Sequence, residues 1–158
     1  YAKEREVRIA IRSPETPIRT ICDAVRIGQV VRNLLSNAIK FTEPGRAVTV
    51  EVEGGHRIDG VDGLAVEAAV VRVRDEGVGI PESELEAVFD KFVQSSKTKS
   101  GAGGTGLGLA ISREIVGQHG GRIWAENNAD RGASFTLLLP VTGRAADGGQ
   151  EGGLRHVA

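Results

Sequence analysis

Residues 5–11 alternate, with Val7, Ile9 and Ile11 set against Arg8, Ala10 and Arg12. This period of two predicts a half-buried strand. A Pro-flanked turn (residues 13–17) leads to a second short apolar run at residues 18–22, read as another strand, and Asp23 is placed to cap a helix. From Ala24 to Phe41 the period changes to that of a helix: Ile27, Val30, Val31, Leu34, Ala38 and Phe41 make one broad apolar face, and Glu43-Pro-Gly45 ends it. Residues 47–53 and 65–75 return to the strand period, with a polar, glycine-rich hairpin loop expected at 54–63. Pro81 opens a short helix whose buried side is Leu85, Val88, Phe89 and Phe92. Residues 105–119 form a second long helix, with Leu107, Ala110, Ile111 and Ile115 inside and Gly120-Gly121 as its stop. Residues 123–126 and 134–139 are the last strands. Strands and helices do not alternate regularly, so the expected class is α+β, a two-layer sandwich with about three helices on one face of a mixed, mostly antiparallel sheet.

Three places break these patterns in ways that packing does not explain. On the first helix, Arg26, Gln29, Asn33, Asn37 and Lys40 fall in a polar stripe ~80° wide. It carries no acid and includes two Asn that weaken the helix without structural return. Against a plain solvated face stands the reading that Asn37 and Lys40 face a ligand bearing metal and phosphate. On the strand ending at 75, Asp75 shares the face of Val71 and Val73, and a carboxylate aimed inward needs donors to offset its desolvation. Glu76-Gly-Val-Gly-Ile80 follows, with glycines that leave room beside it. Finally, Gly101-Ala-Gly-Gly-Thr-Gly-Leu-Gly-Leu109 holds five glycines in nine residues and runs into a helix, an arrangement that brings free N–H groups close to an anion. The stretch before it, residues 94–104, has almost no apolar residue and offers Lys97, Thr98 and Lys99, as expected of a mobile lid.

Composition narrows the field. The 158 residues suffice for one domain with a real core, and 40% hydrophobic with 26% charged residues is ordinary for a soluble protein. A net charge of −1 supplies no basic field for nucleic acid. Cys22 has no partner for a disulfide and sits in an apolar run as a small hydrophobe. No transmembrane or signal segment is evident, so the expected location is cytoplasmic, with any membrane anchor upstream. The lack of any Met suggests a piece cut from a larger protein. After Pro140 periodicity is lost, which divides the chain into a domain at 1–142 and a disordered tail at 143–158.

The glycine run does not fit the common phosphate loops. A P-loop needs Lys and Ser or Thr after its last glycine, whereas Leu107 follows Gly106. Gly101, Gly103 and Gly106 match a dinucleotide fingerprint, but a hydrophilic loop precedes them where a strand is required. The protein-kinase glycine loop needs strand on both sides, and here a helix follows. A different set covers about residues 5–140: Asn33-Leu-Leu-Ser-Asn37-Ala-Ile-Lys40-Phe41, Asp75-Glu-Gly-Val-Gly79-Ile80, Phe89-Asp-Lys-Phe92, Gly104-Thr-Gly-Leu-Gly-Leu109 and Gly132-Ala-Ser-Phe135. In order and spacing these resemble the N, G1, F, G2 and G3 boxes of the catalytic and ATP-binding domain of sensor histidine kinases, a member of the Bergerat-fold superfamily of gyrase, chaperone and mismatch-repair ATPases. The wording of the lid is most similar to the hybrid-type kinases.

The resemblance implies ATP and Mg²⁺ as cofactors. It implies that Asp75 accepts a hydrogen bond from the adenine amino group beside Gly77, Gly79 and Ile80. Asn37 would give an oxygen to Mg²⁺ and Lys40 would pair with phosphate, with Asn33 supporting the same stripe. Gly104, Thr105, Gly106, Leu107, Gly108 and Leu109 would present backbone to the phosphates, Lys97 or Lys99 would add charge from the lid, and Ser134 belongs to the last box. Phe89 and Phe92 are counted with the site as packing at the lid's base. The partners implied are a histidine-bearing dimerisation hairpin of a homodimeric parent and, downstream, a response-regulator receiver domain; the isolated chain would be a monomer. Asp130 departs from the usual first glycine of the G3 box. His56, His119 and His156 all lack the setting of a phosphoacceptor, and His119 reads as a cap for its helix, partly charged at the dipole's negative end. Rival readings are an ATP-hydrolysing conformational switch, an anti-sigma-type serine kinase and a degenerate nucleotide-binding scaffold. The hydrolysing relatives carry a Glu general base four residues before the metal-binding Asn, and here that position is Asn33, which cannot take a proton.

Overall fold

The computed structural model describes residues 1–59, 63–96 and 105–141. Five strands form one sheet: β1 (Arg8–Arg12), β2 (Ala47–Asp59), β3 (Ala65–Asp75), β4 (Arg122–Asn127) and β5 (Ala133–Pro140), in the order β1-β2-β3-β5-β4. β1 pairs with β2 in parallel and every other pair is antiparallel. The parallel pair needs a crossover, which α1 (Ala24–Phe41) provides. The second helix, α2 (Gly108–Gln118), packs on α1. Two 3₁₀ turns at Glu82–Glu84 and Ala87–Phe89 complete the helical layer of this α+β sandwich.

The core lies between the helices and the inner face of the sheet. Val30, Leu34 and Ala38 of α1 pack with Val48 and Val73 of the sheet, with Phe135 and Leu137 of β5, and with Ile115 and Val116 of α2. Leu34 is completely buried, so truncating it to Ala would cost about 2–5 kcal/mol. α1 begins where its sequence signal places it: the Asp23 carboxylate accepts from Val25 N and Arg26 N, both at 3.0 Å.

Several elements depart from the pattern-based reading. Residues 18–22 form no strand; they run as an irregular strap, tied to the end of β5 by Thr20 Oγ1 donating to Pro140 O at 2.6 Å. Strand β2 does not stop at 53. Its register shifts between Glu53 and His56, where Gly55 takes a positive φ of 76°, and pairing resumes through Asp59, so the hairpin connection is far shorter than 54–63. β1 is an exposed edge strand: only Val7, before it, reaches the core, while Ile9 and Ile11 remain exposed, with no described helix over them. The helix after Pro81 is two 3₁₀ turns, and Phe92 is exposed where its spacing suggested burial. α2 starts at Gly108, three residues later than expected, and buries Ser112 and Val116 while Ile111 stays exposed.

Candidate functional site

A cavity of about 260 Å³ is lined by Asn33, Asn37, Lys40 and Phe41 of α1, by Asp75 and the turn Val78, Gly79 and Ile80, and by Thr105, Gly106, Gly108 and Leu109 at the start of α2. Ala133 and Phe135 of β5 and the apolar Val88 and Val93 close it. The three sequence features that packing left unexplained therefore meet in one place.

Asp75 is 5% exposed, carried inward at the end of β3 on the same face as Val73. Its Oδ1 accepts from Gly77 N at 2.9 Å and from Ala133 N at 3.1 Å, which leaves Oδ2 for the cavity. Burial pushes the carboxyl above the ordinary carboxylate range, although the two backbone N–H groups and the Arg74 charge pull the other way. Two glycines make this packing attainable. A Cβ on Gly132, whose φ is 76°, would stand 2.1 Å from the Asp75 carbonyl oxygen, and one on Gly77 would stand 2.4 Å from the Phe41 carbonyl oxygen. Gly77 thus supports Asp75 from beneath and does not line the cavity.

Three supporting residues had escaped the sequence reading. The Asn127 carboxamide accepts from Ile80 N at 2.9 Å and donates to Ile80 O at 2.7 Å, clamping the turn as a strand would. Asn128 Nδ2 donates to Asp75 O at 2.8 Å, and its Oδ1 accepts from the Ser134 hydroxyl at 2.6 Å. Ser134 thus belongs to the backing of Asp75 and lies outside the cavity lining. Arg131 donates from Nε to Gly77 O at 3.2 Å and from a guanidinium nitrogen to Glu43 Oε2 at 2.6 Å, joining the turn to the end of α1. Asn127 and Asn128 looked like ordinary turn residues, and only the β4–β5 register brings them beside a turn nearly fifty positions earlier.

The polar stripe of α1 divides. Arg26 turns to Gln118 and Gln29 to solvent, while Asn33, Asn37 and Lys40 reach the cavity. Asn37 makes no side-chain hydrogen bond among the described residues, so its carboxamide is available to a ligand. Asn33 is engaged: its Nδ2 donates to Ser112 Oγ at 3.0 Å, and that hydroxyl donates to Gly108 O at 2.9 Å. Gly106 has a φ of 67°, and among the described residues no side chain caps α2, whose first N–H groups stand next to the cavity.

The remaining sequence candidates lie elsewhere. Phe89 is buried in the core, edge-on to Phe135 at 6.3 Å, and Phe92 is 75% exposed; neither lines the cavity, and Leu107 does not either. Lys97, Lys99 and Gly104, with most of the expected lid and the expected tail, fall outside the described residues. His119 holds the end of α2, as its position suggested. Nε2 accepts from Asp23 N at 3.1 Å, which leaves the proton on Nδ1 to donate to Ile115 O at 2.7 Å. No described helix is long and apolar enough to cross a membrane.

Comparison with known proteins gives the family of this fold. The chain is 37% identical over 139 residues to the sensor histidine kinase WalK of Bacillus subtilis, covering 87% of this chain and 21% of WalK. It is 38% identical over 143 residues to hybrid signal transduction histidine kinase D of Dictyostelium discoideum, covering 89% of this chain and 9% of that protein. It therefore spans at most about a fifth of these relatives. Among solved structures, the mycobacterial sensor histidine kinase MprB superposes with a TM-score of 0.70 at 31% identity, over 90% of this chain and 86% of that one. The family model described as histidine kinase-, DNA gyrase B- and HSP90-like ATPase matches residues 22–143, and the chain belongs to that family.

Proposed function

We propose that this chain is the ATP-binding catalytic domain of a two-component sensor histidine kinase, transferring the γ-phosphoryl group of ATP to a histidine on a dimerisation hairpin elsewhere in the parent protein. The observation that carries the choice is the set of ionisable groups in the cavity. Asp75 is the only carboxylate among its described lining residues, and Oδ1 of that carboxylate already accepts two backbone N–H groups. The amides of Asn33 and Asn37 cannot accept a proton. The described cavity thus offers no second carboxylate to activate water, whereas a neutral imidazole is a nucleophile without help.

Each residue then has a task. Asp75 Oδ2 accepts from the adenine amino group, against the apolar walls of Ile80, Val88 and Phe135. Lys40 and the first N–H groups of α2 neutralise the phosphates. The donor set fits Mg²⁺: among the described residues no group of three His, Cys, Asp or Glu could hold a metal, and the unengaged Asn37 oxygen suits a hard cation bound mainly through water and phosphate. When bound, Mg²⁺ would neutralise charge on the phosphates, and Asn37 would hold it. The imidazole attacks the γ-phosphorus, the bond to the β,γ-bridging oxygen breaks, ADP departs, and the imidazole's proton goes to solvent. The protein's contribution is positioning and charge neutralisation. The parent works as a homodimer, its phosphohistidine serves a response-regulator receiver domain, and the domain faces the cytoplasm.

The test combines this chain, the histidine-bearing hairpin of its parent, Mg²⁺ and γ-labelled ATP. Acid-labile label on the hairpin is expected. Free phosphate without labelled hairpin would identify a hydrolysing switch, acid-stable label would identify a serine kinase, and label on His56, His119 or His156 of this chain would overturn the assignment of the acceptor to another domain.

A further inference from the structure

The last glycine of the run poses a problem that phosphate binding does not solve. Gly106, at φ 67°, takes a backbone conformation that side chains rarely adopt. Gly108 has no such need: it is the first residue of α2, with no positive φ, where Ala would be the stronger helix former. What excludes a side chain there is another residue. A Cβ on Gly108 would stand 2.4 Å from Asn33 Oδ1 and 3.0 Å from both Asn33 Cγ and Nδ2. The Asn33 carboxamide therefore lies flat against the bare Cα of Gly108. One turn further along α2, the same carboxamide donates to Ser112 Oγ, a side chain only 2% exposed, which in turn donates to Gly108 O.

We infer that Asn33 is a positioning residue that, with Ser112 and Gly108, fixes where the N-terminus of α2 stands over the cavity and so sets how tightly the chain holds the phosphates of its nucleotide. This rests on the proposed nucleotide reading and gives a specific part to Asn33, which the resemblance cast only as support for the polar stripe. Residues 33 and 108 sit on different helices, and both line the cavity. Displacing α2 from α1 by the width of a methyl group would move its first N–H groups away from an anion held by Lys40 and Asn37. The adenine end depends on Asp75, Ile80 and β5 and would not feel the change.

The experiment measures ATP and adenosine affinity by calorimetry, with melting curves for each protein. Ser112→Ala removes both hydrogen bonds of its hydroxyl; it should weaken ATP binding about three- to tenfold and leave adenosine within about twofold, the loss of the one bond that ties α2 to α1 converted to affinity. Gly108→Ala should weaken ATP about tenfold or more in the native background, yet cost less than about twofold when Asn33 is already Ala, because its obstacle is gone. A Gly108→Ala penalty that is equal in both backgrounds would show that this glycine serves phosphate approach and would overturn the inference. Equal loss of ATP and adenosine in Ser112→Ala would overturn it too, since that is general destabilisation. Ser112→Ala leaves Gly108 and Asn33 in place and decides the matter even where Gly108→Ala fails to fold. A native chain that binds neither ligand would refute the nucleotide reading itself, which is a separate failure.

Discussion

Replacing Asp75 by Asn should separate binding from stability, with opposite signs. The variant keeps an oxygen at Oδ1, so Gly77 N and Ala133 N retain their acceptor. What changes is the atom facing the cavity, from an oxygen that accepts to an NH₂ that donates. Against the adenine amino group, its proposed partner, this would remove a hydrogen bond to a charged acceptor, about 1.5–3 kcal/mol, and set two donors face to face. A total of about 2–4 kcal/mol corresponds to a roughly 30- to 1,000-fold loss of ATP affinity. Stability moves the other way. Burial raises the carboxyl above its ordinary range, so the native state holds the proton more tightly than the unfolded chain. The stability linked to this group is therefore complete below the ordinary carboxylate range and lost as pH rises through the elevated native value. Above that value the ionised Asp75 is a net cost that Asn does not carry. The variant should melt at or above the native temperature at pH 7, and this advantage should shrink as pH falls toward 4. Calorimetric titration with ATP and melting curves at both pH values test the pair of claims. Undiminished ATP affinity would refute the adenine contact, and a lower melting temperature at pH 7 would refute the account of the buried charge.

Two further substitutions probe other parts of the site. Asn37→Ala should weaken ATP binding about tenfold when Mg²⁺ is present and abolish most of the difference between Mg²⁺ and chelator, since its oxygen is the proposed ligand; an unchanged Mg²⁺ dependence in titrations would remove that role. Asn127→Ala leaves the N–H and carbonyl of Ile80, a residue 7% exposed, without their partners. The two bonds lost at Ile80, beside a longer exposed one to Glu82 Oε1 at 3.3 Å, should cost about 1–3 kcal/mol in urea melts and lower ATP affinity as well, because the freed turn lines the cavity; unaltered stability would show that the clamp contributes nothing.

The parts of this molecule legible in the sequence are those written in local chemistry. Helix α1 was readable to its ends because Asp23 caps it, its apolar face has the right period and Glu43-Pro-Gly45 stops it. The inward aim of Asp75 followed from the alternation of Val71 and Val73. The parts that stayed hidden depend on what other segments do. Ile9 and Ile11 alternate as a buried strand would, yet β1 is an edge with no described helix over it. Residues 18–22 have the apolarity of a strand but join no ladder, and a side-chain bond from Thr20 to Pro140 O ties them to the sheet instead. The pattern places the start of α2 too early because a glycine-rich approach to a helix carries no cap to mark its boundary. Asn127, Asn128 and Arg131 act on residues about fifty positions away, and nothing in their immediate neighbours reports the register that brings them there.

Asn33 shows how far a single position can be read from sequence and where structure must take over. The absence of a glutamate there argued against hydrolysis, because an amide cannot accept a proton from water. The structure adds that the amide is needed for its donor. Nδ2 gives a hydrogen to Ser112 while the Ser112 hydroxyl gives its own to Gly108 O. A carboxylate at position 33 has no hydrogen to give, so it could meet Ser112 only by taking the hydroxyl proton, which would strip Gly108 O of its donor. A longer side chain would also press on the Cα of Gly108, where Asn33 already fills the space a Cβ would need. In this chain, installing a general base for water and keeping α2 in place are therefore competing demands on one residue, and the resident Asn serves the second.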